Sequence, residues 1–178
     1  MGIPTLISTA TSSDVASVAI TSGIDSTYDE YMFVFTDINP ATDTASFTFQ
    51  CSIDSGSNYN VAMTTTTFRA YNKEDDSSTD FSYSTGADQA QGTAYQRLIY
   101  YMGNGSDESG AGILNLFSPS STTYVKHFYS NTQQLQSGDV SVNAYAAGYF
   151  NTTSAIDAIS FKMSSGNFDG VIQMYGIA

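Results

Sequence analysis

Histidine and cysteine each occur once in this 178-residue chain, at His127 and Cys51, so any nucleophilic triad or thiolate chemistry would have to be built around one of those two side chains. In Tyr124-Val125-Lys126-His127-Phe128-Tyr129 no Cys, Asp or Glu stands at a metal-ligand spacing from the imidazole, and Ser-His-Asp or Cys-His partners would have to come from distant parts of the chain. His127 therefore reads as a strand-surface or hydrogen-bonded histidine. Cys51 belongs to the alternating run Ala45, Phe47, Phe49, Cys51, Ile53, which aims it into a core as a small hydrophobe. Glycoside hydrolysis needs two carboxylates held at a fixed separation. Acidic pairs stand in Lys73-Glu74-Asp75-Asp76 and in Asp107-Glu108, and the only other Glu is Glu30. All three sites are in or beside turn-like stretches and read as solvated loops. Calcium would use the same oxygens, but neither stretch carries the D-x-[DN]-x-[DN]-G loop.

Two weaker patterns remain. Asn104-Gly105-Ser106 and Asn151-Thr152-Thr153 fit the glycosylation acceptor triplet, which arises often by chance in a chain so rich in Ser and Thr. The stretch Tyr95 to Met102, with Tyr100-Tyr101 at its centre, could present rings to a sugar or a partner, although core and cross-strand packing is the simpler account. Gly-rich phosphate loops and zinc spacings are absent. No catalytic, cofactor-binding or metal-ligating residue is assigned, and the chain reads as non-enzymatic.

The elements that must position these residues are strands. Charged residues make up 12% of the chain, against roughly 25% in typical soluble domains, while 26 Ser and 21 Thr supply polarity without charge. The 24 aromatics, 13 Tyr and 11 Phe, are spread along the whole length, so every segment has core material. Period-2 alternation recurs throughout and the helical period is hard to find. Ala45 to Ile53 is the clearest case: Phe47, Phe49 and Ile53 are expected inside, and Ser46, Thr48 and Gln50 against solvent or a neighbouring subunit. Further strands are expected over Leu6–Thr11, Val15–Thr21, Tyr31–Ile38, Val61–Tyr71, Phe81–Thr85, Ala94–Met102, Ile113–Phe117, Tyr124–Ser130, Val140–Phe150, Ile156–Met163 and Val171–Ile177. Gly, Asn, Asp and Ser clusters separate them, and Asp88 to Gln91 is the one place where a short helical turn is expected. Many short strands at even spacing imply one all-β domain over residues 1–178, an antiparallel β-sandwich with jelly-roll as the candidate topology.

A formal net charge of −12, from 17 acidic and 5 basic residues, repels phosphate backbones and anionic bilayers, so neither nucleic acid nor membrane is an expected partner. No basic n-region precedes an apolar stretch at Met1-Gly2-Ile3-Pro4, so no secretory signal is expected, and no window approaches the ~18 apolar residues of a membrane span.

Several segments are familiar as a set: Thr21 to Tyr31, Asp37 to Asp43, Phe68-Arg69-Ala70-Tyr71, Ala90 to Tyr95, Ser120 to Phe128, and Gly166 to Ile177. Together they resemble small virion structural proteins of tailed bacteriophages, especially marine and cyanobacterial ones. The resemblance runs over nearly the whole chain and carries no catalytic motif. It implies a non-enzymatic virion part, made in the host cytoplasm, where absent disulfides are expected. The first expectation is a capsid-decorating or cement protein on the head surface, working as a symmetric oligomer, a homotrimer for preference, against the major capsid protein or other virion proteins. The alternative is a tail-associated fibre or receptor-binding module that holds a host-surface glycan.

Overall fold

The computed structural model describes residues 2–178 and contains strands without helices. The strands are β1 (Thr5–Val15), β2 (Ser17–Ile20), β3 (Glu30–Pro40), β4 (Ala45–Ser52), β5 (Met63–Lys73), β6 (Thr79–Tyr83), β7 (Gln96–Met102), β8 (Gly110–Phe117), β9 (Lys126–Gln136), β10 (Val140–Phe150), β11 (Ala158–Met163) and β12 (Phe168–Ile177). Each strand expected from alternation is present. β1 runs further than expected because Asp14, at φ 52°, absorbs a register shift between Ser12 and Val15. The expected helical turn at Asp88 to Gln91 is not formed. Gln91 sits at φ 55° and the segment is an irregular bend, tied to β5 where the Gln89 amide donates to Thr65 Oγ1 at 2.9 Å.

Eight of the strands form two four-stranded antiparallel sheets, in the orders β1-β12-β3-β8 and β2-β11-β4-β7. The chain crosses between the two sheets repeatedly, which is jelly-roll order. The other four strands enter as two hairpins, β5-β6 and β9-β10, that extend the first sheet to β1-β12-β3-β8-β9-β10-β5-β6. The result is a β-sandwich with one wide sheet and one narrow one. A single pairing, Met102 with Gln136, joins their rims.

The wide sheet has to coil in order to wrap the narrow one, and two glycines permit it. A Cβ on Gly112 would stand 2.5 Å from the Asn131 carbonyl oxygen, and one on Gly148 would stand 2.5 Å from that of Thr64. No side chain fits at either place, so the β8/β9 and β10/β5 seams close more tightly than a residue with Cβ allows.

Between the sheets lies a core of phenylalanines. Phe33 and Phe35 of β3 and Phe168 of β12 meet Phe47, Phe49 and Phe161 of β4 and β11, all of them buried. Phe47 stacks on Phe161 with centroids 5.8 Å apart, and both contact Phe35 edge-on, at 5.2 and 5.3 Å. Offset and edge-to-face pairs of this kind add about 0.5–1.5 kcal/mol each beyond simple burial. Cys51 is buried as expected, and burial pushes its thiol well above its usual range.

β4 departs from the expectation drawn from its alternation. Phe47 and Phe49 are inside, but Ser46, Thr48 and Gln50 are buried too, and Ile53 is 43% exposed just past the strand end. The outward face of the narrow sheet is covered by chain rather than by solvent. Gln50 Nε2 donates to the carbonyls of Val61, Thr93 and Ala94 at 3.1–3.2 Å, and Thr48 Oγ1 donates to Lys162 O at 2.8 Å. Alternation marks a polar face; it does not distinguish one that meets water from one that meets the backbone of a covering loop.

Candidate functional site

The residues weighed for chemistry do not converge. His127 is exposed on the outer face of β9, with its ring 6.2 Å from that of Tyr149, its cross-strand partner. Glu74, Asp75 and Asp76 form the exposed β5–β6 turn. Asp107 and Glu108 precede β8, and Glu108 accepts the Gly105 amide. Glu30 opens β3 and is bonded by Asn115. Among the described residues no group of three or more His, Cys, Asp or Glu side chains is placed to hold a metal ion. Asn104 and Asn151 are both exposed. The tyrosines of the Tyr95 to Met102 stretch divide: Tyr95 is half-buried with Lys162 Nζ 4.2 Å from its centroid, Tyr100 is buried, and Tyr101 is exposed.

Two surfaces stand out instead. The first is the outer face of the wide sheet. β5, β8, β9 and β10 contain no Asp or Glu, a property they share with β2, β4, β7 and β11 of the narrow sheet, although the chain has 17 acidic residues. Their outward positions carry rings: Phe117 stacks on Tyr129 at 5.7 Å, and Phe68 stacks on Tyr145 at 4.9 Å with Phe81 of β6 5.7 Å further on. Between Tyr129, Tyr149 and Phe117 the surface dips to a trough of about 410 Å³ floored by Ala147 and Gly148. The rings are interspersed with Thr64, Thr66, Asn131, Gln133 and Asn143, so the face is uncharged and mixed in polarity.

The second is a cleft of about 220 Å³ where the β5–β6 hairpin folds over β7. Arg69 of β5 and Arg97 of β7 both line it, together with Ser82, Ser84, Tyr100 and Tyr101. Each guanidinium is held by a tyrosine. Arg69 lies 5.8 Å from the Tyr71 centroid, and Arg97 lies 5.4 Å from that of Tyr101 while donating to its hydroxyl at 3.2 Å. Neither is bonded to a carboxylate among the described residues. Asp88 accepts the Tyr83 hydroxyl at 2.7 Å, and Asp80 is exposed on β6.

Two features of the cleft are costly. Tyr101 holds φ 50°, the only aromatic residue among the nine non-glycine positive-φ residues of the described chain, and a bulky side chain there is strained by the order of 1–2 kcal/mol. Tyr100 is 2% exposed and its hydroxyl has no hydrogen-bond partner. The Thr67 and Ser84 side chains are close by, and the Thr67 hydroxyl, which donates to the Ser84 carbonyl at 2.9 Å, keeps its oxygen free to accept. Burial raises the Tyr100 phenol above its usual range, while the Thr67 hydroxyl, the charges of Arg97 and Arg69, and the Ser84 hydroxyl pull the other way.

β7 is fixed against the hairpins by side chains that bond backbone. Gln134 receives the Tyr100 amide at 2.8 Å and donates to the Tyr100 carbonyl, Thr132 Oγ1 donates to Leu98 O at 2.7 Å, and Gln96 joins Thr65 Oγ1 at 2.8 Å and Ala87 O at 2.9 Å. All of these side chains are buried. The sequence reading missed this cleft. The available signal was the pair Arg69-Ala70-Tyr71 and Arg97…Tyr101, two of five basic residues each set near a tyrosine in a strand.

Compared with protein-family models, with curated proteins and with solved structures, the chain has no significant match.

Proposed function

We propose that this chain is a non-enzymatic structural protein of a bacteriophage virion, a decoration or cement protein that docks on the head surface through the outer face of its wide sheet. The observation that carries the reading is that face: the exposed rings Phe68, Phe81, Tyr129 and Tyr145 among uncharged polar side chains, on a molecule of net charge −12. A strongly acidic protein that packs beside copies of itself meets repulsion wherever acids face acids, so an uncharged face with exposed rings is where contact costs least. The resemblance to small virion proteins of tailed phages supports the same assignment. β6 adds to it: the strand is an exposed sheet edge with no Lys or Arg to blunt it, and closed symmetry, a trimer for preference, is a common way to cover such an edge.

Electron microscopy of intact virions tests this, with the chain expected as regular density over the head lattice. Tyr129→Glu and Tyr149→Glu are expected to fold and to drop out of particles. Density confined to the tail tip would replace the reading with the receptor-binding alternative, which the Arg69/Arg97 cleft favours. In solution, a chain that stays monomeric at micromolar concentration and sits on virions as isolated monomers would remove the oligomer.

A further inference from the structure

We propose that the cleft between the β5–β6 hairpin and β7 is a binding site for a carboxylate-bearing sugar, its carboxylate seated between Arg69 and Arg97 and its ring against Tyr101. Scarcity is the starting point. With 17 acidic and 5 basic residues, an arginine in this chain has carboxylates in excess, yet the two that share this cleft are without one and rest on tyrosine rings instead. A ring beside each guanidinium limits its motion, and apart from the Arg97–Tyr101 bond their N–H groups have no acceptor among the described residues, a state in which an arginine captures a carboxylate at reduced ordering cost.

Tyr100 also lines the cleft, but its hydroxyl is sealed from solvent beside Thr67 and Ser84, so a bound anion meets the guanidiniums and not the phenol. Tyr101 adds a second mark: strained non-glycine residues cluster where a side chain is held for a ligand, and here the strain holds the ring beside Arg97.

The remaining lining favours a sugar over a bare inorganic anion or an acidic peptide. Ser82, Ser84 and Thr85 offer hydroxyls at the rim, suited to sugar hydroxyls, and an exposed tyrosine ring offers a face to a pyranose. Phosphate sites are more often built from successive backbone amides in Gly-rich loops. An acidic peptide would run along the β6 edge, outside the pocket in which the arginines meet.

Calorimetric titration of the purified full chain with oligogalacturonate and with sialyllactose, beside neutral oligogalactose and lactose, tests the proposal wherever the chain sits on the particle. Binding of at least one acidic sugar is expected, with the neutral counterpart about ten-fold or more weaker, and with affinity falling as salt rises. Arg69→Gln and Arg97→Gln are each expected to weaken it about ten- to hundred-fold. Circular dichroism and melting temperature verify that the variants fold, and His127→Ala on the opposite face should bind as the parent does. Equal binding of neutral and acidic sugars, tighter binding of inorganic phosphate than of either acid, no binding at ~10 mM, or folded Arg variants of unchanged affinity would each overturn it.

Discussion

The two ends of the sandwich are held by opposite means. Where β3 and β12 face β4 and β11, the sheets meet through Phe33, Phe35, Phe47, Phe161 and Phe168, with no polar side chain among the buried rings. Where the β9-β10 and β5-β6 hairpins face β7, the same two sheets meet through Gln96, Gln134, Thr65, Thr67 and Thr132, whose side chains bond strand and loop backbone. The apolar end is non-directional and tolerates small shifts, since its stability scales with area removed from water. At the polar end, direction matters: a displaced β7 would leave several buried donors and acceptors unpaired at once. The rigid, directional end is the one that carries the cleft.

The largest effect belongs to the apolar end. Phe47 contacts Phe35, Phe161 and Phe168 and is fully buried, so Phe47→Ala is expected to cost about 3–5 kcal/mol in denaturant unfolding. A cost under about 1 kcal/mol would mean that the rings are not the core. The polar end follows. Gln134→Ala leaves both the amide and the carbonyl of Tyr100 buried without partners, at about 1–3 kcal/mol for each unsatisfied group. Hydrogen exchange of β7 amides should quicken in this variant while β3 and β12 stay protected. Uniform loss of protection would show that the two ends do not differ in the way described.

Lys126 belongs to neither pattern. It is fully buried at the start of β9, opposite Phe150 in register, and its ammonium makes one hydrogen bond, to Thr152 O at 3.1 Å. Desolvation lowers its pKa below the usual lysine value. A lysine whose folded pKa is depressed binds fewer protons folded than unfolded between the two values, so stability rises with pH there and the penalty is full below the folded pKa. Lys126→Met should therefore raise stability by about 1 kcal/mol at neutral pH, and the gap between variant and parent should narrow as pH climbs toward the unfolded lysine value. A variant less stable than the parent at neutral pH would show that the ammonium contributes more than it costs.

The strands were legible because alternation survives wherever one face is apolar, as in Val140–Phe150, found at the expected ends. The register of Cys51 and of the phenylalanines was legible for the same reason. The reading failed where polar side chains stand in for backbone. Ser46, Thr48 and Gln50 look like a wet face, and the strand expected to end at Ser130 continues to Gln136 and supplies Thr132 and Gln134 to the seam with β7. Serine, threonine and glutamine satisfy loop carbonyls as readily as they meet water, so their type does not report burial. The cleft was illegible because Arg69 and Arg97 are 28 positions apart in the chain and meet only when the inserted hairpin folds over β7.

The smallest effect is the most discriminating for the polar end. Its network is not complete: besides Tyr100 Oη, the oxygens Gln89 Oε1 and Gln136 Oε1 are buried without partners. In the ligand-free chain Tyr100→Phe removes a hydroxyl that bonds nothing, relieving a desolvation cost while giving up the contacts of one oxygen atom. These two terms oppose each other, and the net change in unfolding free energy is expected within about 0.5 kcal/mol of zero. Gln134→Ala, acting on the backbone of the same residue, should cost several times more. If Tyr100→Phe instead costs more than about 1 kcal/mol, the phenol is bonded to Thr67 or Ser84 in solution. The polar end would then be as fully satisfied at Tyr100 as it is at Leu98.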